Sequence, residues 1–286
     1  MKNISFCVVG AQKAGTTSVH EALIRVPNIS LPWNKESNYF FSEVGMSAAD
    51  YLSKFHAENS QRADVFFGEV NPEYCTSLVA LENLKAMNSS IKIIFIMRDP
   101  FSRACSQYDM NVRRGRECRP FEQAITESVG EKELIKHFNY IERSDYLAIV
   151  ENLVHVFPRE NILFLNYSDM ESSPQVFLNK MLDFIGCDSY VGEDAGISRH
   201  NVNARPIFPL VEWLISKESL IKKILRIPFR LVFRGPSVRH KILTFFEVVN
   251  HREVERVRSC SDREAFDSVL MLDAASLKEM TGVDIA

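Results

Sequence analysis

Residues 4–20, Ile-Ser-Phe-Cys-Val-Val-Gly-Ala-Gln-Lys-Ala-Gly-Thr-Thr-Ser-Val-His, constrain the fold more than any other stretch of the chain. Ile4 to Val9 is an apolar run of the length of a buried parallel strand. Gly10 stops it, and Gly15 follows five residues later. Thr16, Thr17 and Ser18 open a helical pattern in which Val19, Ala22, Leu23 and Val26 share one apolar face, ended by Pro27. Strand, glycine-punctuated loop and helix in that order aim backbone N–H groups and a helix N-terminus at one point, which suits an anion such as phosphate. Lys13 adds a mobile positive charge beside the three hydroxyls. Taken alone, the same residues also read as a tight strand-to-helix turn with a solvated lysine.

The rest of the chain supplies more of the same pattern. Further apolar strands are expected at 65–67, 91–97 and 161–167, separated by helices at 47–56, 77–87, from Pro100, at 140–157 and from Pro174 to Gly186. Strands alternating with helices predict a three-layer α/β domain, P-loop-like, with a central parallel sheet. With 286 residues the expectation is a single domain, a core over 4–206 and a helical, basic extension over 207–286. Within the extension, 207–258 reads as helix and Ser261 as the cap of a last helix.

The net charge of −3 gives no global attraction to nucleic acid, so any anion site is local. The six cysteines form no CxxC pair and the seven histidines show no metal-ligand spacing, which points to a reduced protein with no metal. No apolar run is long enough for a bilayer and the first strand begins almost at Met1, so a cytoplasmic location is expected. The basic 207–258 stretch could lie on anionic lipid, but packing on the sheet is favoured.

A second anion motif follows the strand at 91–97. Arg98 stands at the strand end, where its guanidinium can grip a phosphate in a bidentate fork. Pro100 fits the first turn of the next helix, and Ser106 adds a hydroxyl eight residues after the arginine. Asp99 reads as a cap, and Arg103 as the partner of a neighbouring acid. Arg113, Arg114, Arg116 and Arg119 form a basic cluster, either a solvated surface or a receiver for an acidic acceptor. Glu36 precedes an aromatic cluster ending at Phe41, and Glu69 follows the 65–67 strand, at a carboxyl end of the sheet.

The Gly10–Ser18 loop is not a Walker A loop, because Lys13 sits two residues before Gly15 rather than directly after it. It resembles the 5′-phosphosulfate loop of sulfotransferases that use 3′-phosphoadenosine 5′-phosphosulfate (PAPS). Arg98 with Ser106 resembles the same family's 3′-phosphate motif, and Lys35-Glu36 with its aromatics resembles the base-bearing segment of the heparan sulfate branch, with Ser37 in place of a proline. The resemblance implies sulfuryl transfer from PAPS to a hydroxyl of a carbohydrate or other small acceptor. It implies that Gln12, Lys13, Ala14, Gly15, Thr16, Thr17 and Ser18 hold the 5′ end, with Lys13 and Glu36 catalytic and Arg98 and Ser106 on the 3′-phosphate. Lys35, Glu69 and Tyr74 then belong to the acceptor side, with Glu69 either the rival to Glu36 as base or a structural residue holding loops, while Arg199, His200, Asn201 and Arg205 cover the nucleotide. Val70 stands where some members carry a catalytic lysine. Two other readings remain at this point: a P-loop-type kinase with Asp99 as its metal-side carboxylate, and a non-catalytic nucleotide-binding or membrane-surface module.

Overall fold

A computed structural model describes residues 2–42, 47–114, 116–127, 138–190, 204–206, 251–253 and 260–285. Its centre is β1 (Ile4–Gly10), which pairs in parallel with β3 (Phe66–Val70) on one side and β4 (Lys92–Met97) on the other. β2 (Ile29–Ser30) and β5 (Ile162–Asn166) complete a five-stranded parallel sheet of order β2-β3-β1-β4-β5. Helices flank the sheet in a three-layer α/β arrangement. β1 and β4 are buried almost throughout, as strands covered on both faces must be. Packing is tight enough that a Cβ on Gly68 would stand 2.1 Å from the Phe6 ring.

Helix starts are fixed by side-chain caps. Ser47 accepts from Asp50 N ahead of α2 (Ala48–Phe55), and Ser77 accepts from Ala80 N ahead of α3 (Leu78–Met87). Asp99 accepts from Ser102 N at 2.7 Å and starts α4 (Pro100–Arg113). Asp145 accepts from Ala148 N and starts α6 (Tyr146–Val156), which follows α5 (Phe121–Thr126). Each such cap is worth about 1 kcal/mol. α8 (Pro174–Ile185) ends at Gly186, whose φ of 87° lies in the left-handed region.

The structure departs from the sequence expectations in several places. β2 is an edge strand of two residues within the piece between Pro27 and Pro32 that reads as extended chain but not as a strand of the sheet. The helix expected from Tyr140 begins at Tyr146, because Asp145 is the cap. Arg103 pairs with no acid among the described residues: it is fully buried and donates to Ser144 Oγ, Gln107 Oε1 and the Tyr140 carbonyl. The strand expected over 161–167 ends at Asn166, and a helix, α7 (Tyr167–Ser172), follows it directly. Residues 251–253, expected helical, form β7 (His251–Glu253), antiparallel to β6 (Ala204–Pro206). Ser261 lies inside α9 (Cys260–Val269), and a further helix, α10 (Ala274–Thr281), is capped by Asp273, which accepts from Ser276 N. The basic stretch 207–250 lies outside the described residues.

The C-terminal helices return to the core. Phe266 of α9 joins Tyr108, Phe121 and Tyr140 in a second apolar cluster beside α4 and α5. Among the described residues, no helix is long and apolar enough to cross a membrane, and no group of His, Cys, Asp or Glu could hold a metal ion.

Candidate active site

The sheet order brings two loops together. β1 and β4 are parallel neighbours, and the order turns outward in both directions from β1, the position where open α/β sheets bind ligands. Ala11 N donates to the Ile96 carbonyl at 2.9 Å, so the loop leaving β1 starts beside the end of β4. Lys13 (φ 71°) and Gly15 (φ 78°) both take left-handed backbone. That conformation is free for glycine and costs a lysine about 1 kcal/mol. A Cβ on Gly15 would stand 2.3 Å from Met170 Cε, so the loop lies directly on α7.

Gly15 is also the N-cap of α1 (Thr16–Ile24), whose first turn has no side-chain cap and no acidic residue. This end is positive and carries no anion of its own. Thr16 and Ser18 are buried, and Thr17 is half-buried.

Arg98 reaches the loop directly. Its Nη1 donates to the Lys13 carbonyl at 3.0 Å, and its guanidinium lies 4.7 Å from the centre of the Tyr167 ring. The Lys13 ammonium lies 3.9 Å from Met110 Sδ on α4. Ser106 is one turn before Met110, so the same helix face carries it toward the loop. Burial, then the charges of Arg113, Arg114, Arg98 and Lys35, lower the Lys13 pKa to about 8. Five cations therefore converge here, Arg113 and Arg114 among them from the cluster that read either as a solvated surface or as a receiver for an acidic acceptor.

Lys35 and Glu36 approach from the other side. Lys35 Nζ donates to Thr17 Oγ1 at 3.0 Å and to Glu36 Oε1 at 3.1 Å. The Glu36 side chain is 39% exposed, so its carboxylate faces solvent next to the donor loop.

Glu69 and Tyr74, expected on the acceptor side, are instead fully buried. Glu69 lies within β3, which runs on to Val70. Its carboxylate accepts from Tyr51 OH at 2.6 Å, Ser37 OH at 2.7 Å, Tyr74 OH at 2.9 Å and Ser37 N at 3.1 Å. Burial raises its pKa, and the hydroxyls of Tyr51, Ser37 and Tyr74 oppose that rise. It anchors the Lys35–Ser37 segment from below and has no open face toward an acceptor.

Gln12 donates its side-chain amide to Glu73 Oε1. Glu73 in turn takes both Nη groups of Arg143, the Nη1 bond being 2.6 Å. No sequence signal joined these three residues. Asp99 is committed to capping α4 and pairs with Arg263 at 3.3 Å. Arg205 falls in β6, and Arg199, His200 and Asn201 lie outside the described residues.

Residues 4–201 match the family described as Sulfotransferase domain. Human heparan sulfate glucosamine 3-O-sulfotransferase 3B1 is 23% identical over 179 residues, 63% of this chain and 45% of that protein. The membrane-associated sulfotransferase kil1 of Dictyostelium discoideum is 29% identical over 109 residues, 38% of this chain and 23% of that protein. The chain thus spans less than half the length of these curated relatives. A sulfotransferase from Alicyclobacillus acidocaldarius superposes with a TM-score of 0.57 at 19% identity, covering 97% of this chain and 100% of that one, a likeness of fold. The loop on β1, the arginine on β4 and a family match over most of the length agree: the chain belongs to the sulfotransferase domain family.

Proposed function

We propose that this chain is a PAPS-dependent sulfotransferase acting on a hydroxyl of a carbohydrate or other small molecule. The observation that carries the reading is the bond from Arg98 to the Lys13 carbonyl. It makes the two anion motifs one cationic cluster, suited to a nucleotide phosphorylated at both ends. The uncapped N-terminus of α1 and the five convergent cations fit such a ligand in charge and in donor type.

PAPS supplies the sulfuryl group. Backbone amides of Gln12 to Ser18 and the hydroxyls of Thr16, Thr17 and Ser18 bind its 5′ end. Lys13 holds positive charge where the bridging oxygen gains negative charge, a task of positioning and electrostatics as in phosphoryl transfer. Arg98 and Ser106 hold the 3′-phosphate, with Arg199, His200, Asn201 and Arg205 proposed to cover it. Glu36 accepts the acceptor's proton on its carboxylate. Lys35, shared between Thr17 and Glu36, orients that base toward the donor loop. A kinase reading has less support, because Asp99 is occupied as cap and ion-pair partner.

The test is transfer of labelled sulfuryl from PAPS to a panel of hydroxyl acceptors. Lys13→Ala is expected to lower turnover by about 100- to 1000-fold. Wild-type turnover in that variant would refute the role given to Lys13.

A further inference from the structure

The Lys13 side chain is not held at its charged end. Among the described residues its ammonium meets one polarisable sulfur, Met110 Sδ, at 3.9 Å. Its aim is therefore set by its backbone, which sits at a left-handed φ of 71°. Such a conformation persists in a lysine when the surroundings over-determine it. On the C-terminal side the Lys13 carbonyl is held by Arg98. On the N-terminal side the adjacent residue is Gln12, whose amide nitrogen bonds Glu73 Oε1.

Glu73 is itself fixed. Arg143 grips both its oxygens, and its backbone N donates to Asn71 Oδ1 at 3.2 Å. Arg143 is 7% exposed and precedes Ser144, which buried Arg103 holds at 2.7 Å. An ion pair that only tied the turn before α6 to the turn after β3 would leave the loop alone. Here Oε1 takes both Arg143 Nη1 and Gln12 Nε2, so one oxygen joins the pair to the loop.

We infer that Glu73 and Arg143 are positioning residues that act through Gln12 to fix the backbone of Lys13. The inference rests on the reading of Lys13 as the charge-stabilising group. Gln12, expected among the nucleotide contacts, has its amide nitrogen turned to Glu73 and its Oε1 buried without a hydrogen-bond partner among the described residues.

Gln12→Ala is the cleanest test, because it cuts the link and leaves the Glu73–Arg143 pair intact. Turnover is expected to fall roughly 10- to 100-fold, the effect of a small misplacement of a reacting group. Affinity for 3′,5′-ADP, measured by calorimetry, is expected to stay within about threefold, a loss specific to the transition state. A second readout needs no sulfuryl transfer: the pH dependence of Lys13 labelling by acetic anhydride, followed by peptide mass spectrometry. The wild-type midpoint is expected at about 8 and rises toward the ordinary lysine value in Gln12→Ala, as the loop loosens and the amine is solvated. Glu73→Gln, whose amide oxygen still accepts from Gln12, is expected to fall between the two.

Unchanged turnover together with an unchanged labelling midpoint in Gln12→Ala overturns the relay. So does a loss of nucleotide affinity as large as the loss of kcat/KM, which would make Gln12 a direct ligand contact. If the wild type transfers no sulfuryl group to any acceptor, the functional reading fails, and the labelling midpoints still decide the relay.

Discussion

The two sides of the site are built differently. On the donor side, the loop from Gly10 to Ser18 grows out of the central strand and is held by Arg98 at the Lys13 carbonyl and by Glu73 at Gln12. On the proposed acceptor side, residues 33–38 are held mostly by side chains: Ser37 on buried Glu69, Lys35 on Thr17 and Asn38 on Asn71, with the Trp33 N–H on the Phe55 carbonyl. Trp33 there is 80% exposed. Backbone amides, a helix end and half-buried cations suit the anionic end of a nucleotide. Solvent-facing side chains on an irregular segment suit a partner that differs from one family member to the next. The lesson is sharpest in two glutamates on either side of Ser37. Glu36 has one charged neighbour and an open face, whereas Glu69 has four donors and none.

Glu36→Gln makes the largest expected break in this comparison. Turnover should fall about 100-fold or more, the usual worth of a general base. Nucleotide affinity should stay near wild type, since the donor side does not depend on that carboxylate. Near-normal turnover would move the base elsewhere. Glu69→Ala should act on stability instead. It strands the buried hydroxyls of Tyr51 and Tyr74 and the half-buried one of Ser37, and chemical denaturation should show a loss of about 3 to 5 kcal/mol. A catalytic defect in a fully stable Glu69→Ala protein would reverse the roles of the two acids.

The smallest effect is on pH dependence. Lys13 has a folded pKa of about 8, below its ordinary value of 10.5. Between those values the unfolded chain binds a proton that the folded one has released. The Lys13 contribution to stability therefore rises with pH from about 8 to 10.5 and is unfavourable below that window. Catalysis runs the other way: the charged form is the one required, so kcat/KM for the donor should fall as pH rises past about 8. Lys13→Ala should remove the stability slope in that window, and a slope that survives would assign it to another group.

What the sequence revealed follows from the range of the forces involved. The β1–loop–α1 unit was legible because its apolar run, Gly15 and the Thr16–Ser18 hydroxyls are all local signals. Arg98 and Ser106 were legible by spacing, since a strand end followed by a helix fixes their separation. β2 was legible only as extended chain between Pro27 and Pro32: two residues carry no periodicity, and pairing with β3 makes them a strand of the sheet. The start of α6 was misread because the apolar pattern begins before the Asp145 cap that interrupts it. Glu69 was legible as either a rival base or a residue holding loops; β3, expected to end at Phe67, runs on to Val70 and buries the carboxylate among Ser37, Tyr51 and Tyr74, in keeping with the second. The Glu73–Arg143 pair joins residues 70 apart, and no local pattern announces such a contact.

The central claim is that Lys13 and Arg98 serve one nucleotide phosphorylated at both its 3′ and 5′ ends. Calorimetric titration with 3′,5′-ADP and with ordinary ADP tests it directly. The account predicts that 3′,5′-ADP binds at least about tenfold tighter, the worth of one charge-assisted phosphate contact, and that Arg98→Ala erases the difference. Equal affinity for the two nucleotides in the wild-type protein would contradict it.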